Sequence, residues 1–93
     1  MSQDIGTQLG KVIIISLESN PSTGYGWTAE FDSKFIRLVK REFVHSSNLM
    51  GAGGIERFEF EALAKGVTKL RMVYKREWET TFLYEKTYVV HIV

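Results

Sequence analysis

Few residues in this chain could carry covalent chemistry. There is no cysteine, which excludes thiol nucleophiles, thiolate metal sites and disulfides. The two histidines, His45 and His91, stand far apart, each in a strand-like run, with no further ligand spaced around either. Ser22, His45 and Asp32 can be assembled into a triad on paper, but no local motif positions them. The residue types therefore point to recognition rather than catalysis, with no metal or cofactor.

Three short stretches have the composition of recognition loops. The first is "NPSTGY", comprising Asn20, Pro21, Ser22, Thr23, Gly24 and Tyr25, and it contains the only proline of the chain. Pro21 fixes its own φ and pushes Asn20 towards an extended conformation, while Gly24 permits positive φ. A rigid connection between strands explains the proline and glycine. Two hydroxyls and an aromatic with few rotatable bonds are what a binding loop uses, because contact then costs little entropy. Residue types alone leave both readings open. The second stretch is Gly51, Ala52, Gly53 and Gly54, with Met50 beside it. It reads as a hairpin tip or as bare backbone against which another main chain can lie. The Lys-Ser/Thr that completes a phosphate-binding loop is missing. The third stretch is Arg76, Glu77 and Trp78. Trp and Arg are favoured interface anchors, and a tryptophan between Glu77 and Glu79 is an unnatural core residue.

The elements that must position these loops are strands. Residues 11–19 are rich in β-branched side chains and end at Asn20-Pro21. In "GWTAEF", Trp27, Ala29 and Phe31 share one face, with Trp27 as a core residue. "FIRLVKREFVHS" (35–46) reads as extended, although Phe35, Leu38 and Val39 would also fit one helical face. "IERFEFEALA" alternates, with Phe58, Phe60 and Ala62 inward and Arg57, Glu59 and Glu61 outward. After a turn at Lys65-Gly66, Leu70, Met72 and Tyr74 oppose Lys69, Arg71 and Val73. The last run places Phe82, Tyr84, Tyr88, Val90 and Ile92 on one face. The expected fold is an all-β, immunoglobulin-like sandwich of about six to eight strands. Three binding loops gather at one end, and residues 1–9 form a loose N-terminal segment.

The chain has 93 residues, enough for one domain, with 44% hydrophobic and 25% charged residues. A net charge of +1 argues against nucleic acid or an acidic membrane as main partner. No run approaches the ~20 apolar residues of a membrane helix. The first residues show no basic start followed by an apolar stretch, so the default expectation is an intracellular protein.

Taken together, the three stretches resemble the motifs of the chagasin family of cysteine peptidase inhibitors. That family's pattern is Asn-Pro-Thr-Thr-Gly-aromatic, then Gly-x-Gly-Gly, then Arg-Pro-aromatic. The likeness runs from about Gly10 to Val93. It implies a tight, reversible, non-covalent inhibitor of papain-like cysteine peptidases, working as a monomer. The loops would form a wedge that fills the active-site cleft. Asn20–Tyr25 would cover the catalytic residues, with Ser22 and Thr23 nearest the chemistry. The glycine-rich stretch would lie on the non-primed side, and Arg76 and Trp78 on the primed side. Two positions depart from the pattern. Ser22 replaces a threonine and keeps its hydroxyl. Glu77 replaces a proline, which predicts a more mobile third loop that contributes less binding. The alternative is an immunoglobulin-like adhesion or ligand-binding module without inhibitory activity.

Overall fold

A computed structural model of the chain describes residues 2–45 and 53–93. Within them lie seven strands: β1 (Ser2–Thr7), β2 (Val12–Ser19), β3 (Tyr25–Phe31), β4 (Ile36–His45), β5 (Gly54–Ala62), β6 (Gly66–Arg76) and β7 (Tyr84–Ile92). They form two sheets, one ordered β1-β7-β6-β3 and the other β2-β5-β4. This is the expected all-β sandwich. No helix among the described residues is long and apolar enough to cross a membrane.

Period-two patterning explains both layers. In β5 every second residue from Gly54 to Ala62 is buried. Phe58 and Phe60 point inward, paired with Ile15 and Ile13 of β2. Leu70, Met72 and Tyr74 of β6 and Tyr88, Val90 and Ile92 of β7 supply the facing layer. Trp27 is 4% exposed, and its indole N–H donates to the Glu18 carbonyl at 2.9 Å. The outer face of β2-β5-β4 carries charge instead, with Arg37 and Glu61 forming an ion pair at 2.7 Å.

The structure departs from the sequence reading at three places and refines it at a fourth. Residues 2–7 are not loose: β1 adds to the sheet edge in parallel with β7, from Ser2 opposite Thr87 to Thr7 opposite Ile92. Its sequence, "SQDIGT", has one partly buried apolar residue, Ile5, packed on the core, so backbone pairing rather than patterning holds it. Residues 36–45 are strand, as the sequence reading favoured, and the run of Leu38 and Val39 marks a bulge between Leu38 and Lys40 rather than a helical face. Val73 is 2% exposed although it lies on the outer face with Arg71. It sits in β6, flanked on both sides by β3 and β7. Finally, β7 begins at Tyr84. Phe82 precedes the strand and lies under the Arg71 guanidinium at 5.3 Å, and Tyr84 is exposed at the open end of the sandwich.

Candidate functional site

The connection between β2 and β3 (loop 1) is a single 3-10 turn at Pro21–Thr23, built by its own side chains. Asn20 caps the turn: its Oδ1 accepts the Ser22 N–H at 3.3 Å and the Ser22 hydroxyl at 2.6 Å. The Thr23 hydroxyl donates back to the Asn20 carbonyl at 2.7 Å. Pro21 occupies the first helical position, where its missing N–H costs nothing. Gly24 closes the turn at φ +83°, a conformation that a Cβ disfavours by about 1–2 kcal/mol. Both hydroxyl protons are thus directed into the loop. Ser22 and Thr23 stiffen it, and what they present outward is acceptor oxygen and backbone.

The connection between β6 and β7 (loop 3) leans on loop 1. Arg76 pairs with Tyr25 across the β3–β6 ladder, and its guanidinium lies 4.5 Å from the Tyr25 ring centroid. Tyr25 stacks on Tyr74 at 5.5 Å, and the Tyr74 hydroxyl accepts the Asn20 N–H at 3.1 Å. Trp78 lies over Gly24, where an added Cβ would come 3.4 Å from the indole. Even so, 73% of Trp78 is exposed. A four-residue turn is closed by the Glu79 N–H donating to the Arg76 carbonyl at 3.1 Å. The Arg76 guanidinium and Glu79 carboxylate pair at 3.1 Å, and the Lys75 ammonium donates to the Glu79 carbonyl at 3.2 Å. The sequence reading took Glu77 in place of proline as a sign of mobility. Here the turn is braced by Glu79, a residue that reading named only as a flank of Trp78.

Gly51 and Ala52 lie outside the described residues. Gly53 and Gly54 are placed beside loop 1, with Gly54 opposite Ser19 in β2 and His45 in β4. Gly54 is buried, and a Cβ there would collide with the Val44 carbonyl oxygen and the Phe43 ring. A Cβ on Gly53 would come 2.9 Å from the Ser19 carbonyl oxygen. Close packing within the chain therefore requires both glycines, whatever they present outward. A shallow depression runs between Asn20, Gly53, Gly54, Tyr74 and Tyr84.

All the predicted site residues among the described ones thus gather at one end. The paper triad does not assemble. Asp32 follows the far end of β3, seven residues or roughly 20 Å of strand away from loop 1, and accepts the Lys34 N–H. His45 stacks edge-on against Phe43, and His91 sits beside Asp4 near the opposite end. Sequence reasoning missed Tyr84, which lines the shallow depression, and Glu56, whose carboxylate accepts the Trp27 N–H at 3.0 Å at the base of loop 1. Glu56 had a legible signal, since it shares the inward parity of Phe58 and Phe60.

Fold and site together define a β-sandwich with its candidate recognition loops gathered at one end. Residues 7–92 match the family model described as chagasin family peptidase inhibitor I42, and the chain belongs to that family. Its members are inhibitors, not enzymes. Chagasin of Trypanosoma cruzi is 33% identical over 76 residues, which span 75% of this chain and 69% of that protein. Amoebiasin-2 of Entamoeba histolytica is 35% identical over 72 residues, spanning 73% of this chain and 58% of that protein. The crystal structure of the cysteine protease inhibitor EhICP2 from Entamoeba histolytica matches with a TM-score of 0.83 at 28% identity, over 99% of this chain and 85% of that one. PbICP-C, solved in complex with falcipain-2, shares the fold with a TM-score of 0.64 at 18% identity, over 100% of this chain and 88% of that one.

Proposed function

We propose that this protein inhibits papain-like cysteine peptidases by inserting three stretches, Asn20–Tyr25, Gly51–Gly54 and Arg76–Trp78, into the active-site cleft. The observation that carries this reading is the joint packing of loops 1 and 3. Trp78 rests on Gly24 and Arg76 on Tyr25, so a large aromatic is held out to solvent on a preorganised base. Binding then loses little conformational entropy. The relative EhICP2 is named a cysteine protease inhibitor, which supports the target class.

The chemistry of inhibition follows from shape. No residue at this end can acylate or alkylate a thiolate, so binding is reversible. Pro21–Thr23 is wound into a 3-10 turn rather than extended. A bond in that turn is held away from the near-attack geometry that a peptidase needs, and it blocks the nucleophile without being cleaved. Titrating the protein into papain with a fluorogenic substrate tests this. Stoichiometric loss of activity is expected. Full activity with the inhibitor at micromolar excess over papain and over a second papain-like enzyme would refute the target class.

A further inference from the structure

Glu56 is a buried carboxylate that the three loops do not account for. Its side chain is 7% exposed and lies inward in β5, two residues after Gly54. One oxygen, Oε2, accepts the Trp27 backbone N–H at 3.0 Å. The other, Oε1, accepts the Arg41 guanidinium of β4 at 2.9 Å. Arg41 also covers the Phe58 ring at 5.2 Å.

These contacts join places that matter for the loops. Trp27 comes two residues after Tyr25, where the chain leaves loop 1 and enters β3. Glu56 comes two residues after the glycine-rich stretch enters β5. The two strands belong to different sheets, and β3 is the outermost strand of its own. Dispersion and apolar burial hold sheets face to face but are non-directional. A carboxylate that receives a backbone N–H from the opposite sheet sets a distance and a direction.

Stability alone is a poor reason for such a group. Desolvating a carboxylate offsets much of what its ion pair contributes, and well-packed apolar residues often serve as well or better. An apolar side chain could fill the space between the sheets, but it could not accept the Trp27 N–H.

We propose that Glu56 is a positioning residue, fixing the base of loop 1 against the start of β5, where the glycine-rich loop rejoins the sheet at Gly54. This rests on the reading of those loops as the inhibitory end. Three variants test it: Glu56→Gln, Arg41→Met and the double variant Glu56→Met/Arg41→Met. Glu56→Gln keeps one acceptor oxygen, which the fixed Trp27 N–H takes because the half-exposed Arg41 can turn to solvent, and Arg41→Met leaves the Trp27 bond intact. Both should inhibit papain within about threefold of wild type, well under the tenfold that 1.4 kcal/mol represents. The double variant removes the bond without stranding a buried charge; it leaves the Trp27 N–H without this acceptor, so it should still fold, with a midpoint lowered by several degrees. It should nevertheless inhibit at least about tenfold more weakly, clear of the threefold expected of the single variants. Its backbone amide resonances from Asn20 to Tyr25 should also shift in the free protein. Val90→Ala, a core truncation towards the far end of β7, should lower stability without moving those resonances. A folded double variant with wild-type inhibition and unmoved loop resonances overturns the proposal. If the wild type inhibits no papain-like peptidase, the inhibitory reading fails, and the resonances of the free protein still decide the positioning role.

Discussion

The two tryptophans offer the same perturbation with opposite expected readouts. Trp78 leaves 73% of its surface exposed in the free protein. A fully buried tryptophan covers roughly 150–250 Å², so on the order of 100–180 Å² remains available to a partner. At about 25 cal/mol per Å², covering all of it is worth roughly 3–4 kcal/mol, and covering half about 2 kcal/mol. Trp78→Ala should therefore weaken inhibition by about 10- to 1000-fold. In the free protein it removes only the contact over Gly24, so stability should change by no more than about 0.5 kcal/mol. Trp27 is the reverse case, 4% exposed with its indole N–H satisfied by Glu18. Trp27→Ala should cost about 3–5 kcal/mol. For a domain of this size that lowers Tm by roughly 12 °C or more. Thermal unfolding and an inhibition constant against papain, measured on both variants below their midpoints, decide the matter. If Trp78→Ala lowers Tm as far as Trp27→Ala, Trp78 belongs to the core. If it leaves the inhibition constant within about threefold, the hot-spot reasoning fails.

Three further perturbations have definite signs. Gly54→Ala should destabilise the protein by about 1–3 kcal/mol in chemical denaturation, because the added Cβ meets the Val44 carbonyl and the Phe43 ring. Glu77→Pro should improve inhibition by no more than about fivefold in a papain titration. Proline suits the second position of this turn, the Glu79 brace is already present, and the expected gain is about 0.4–1 kcal/mol. Burial raises the pKa of Tyr88 above its ordinary 10.0, so the folded state holds this proton more tightly than the unfolded chain. That stabilisation is complete below the unfolded value and is lost as pH rises through the folded one. Tyr88→Phe should flatten the alkaline fall of stability above about pH 10, as seen by urea unfolding at stepped pH.

Much of the fold was legible because strand patterning is local. Alternation in 56–62 marked Phe58, Phe60 and Ala62 as inward, and they are. The same parity covered Glu56, but a lone acidic residue at a strand's start reads as solvated until the opposite sheet supplies its donor. Tyr84 failed for a related reason: parity places it inward, yet it stands at the end of the sandwich, tilted against Tyr74 at 5.9 Å and otherwise 62% exposed. β1 left no pattern to read, since parallel pairing with β7 joins residues more than 80 positions apart through backbone groups that every sequence shares.

Of the site, the sequence by itself determined the loop chemistry. Asn20, Pro21 and Gly24 specify their turn through short-range hydrogen bonds and φ preferences, which need no distant partner. Only the tertiary structure decided how the loops are held. Arg76 lies over Tyr25, Glu79 braces the turn that lacks a proline, Gly54 is glycine because Val44 and Phe43 crowd it, and Glu56 ties two sheets together. Except for the local Glu79 brace, each of these contacts joins groups far apart in the chain. Their distances are set by how two layers of side chains pack, and no local stretch of sequence contains that information.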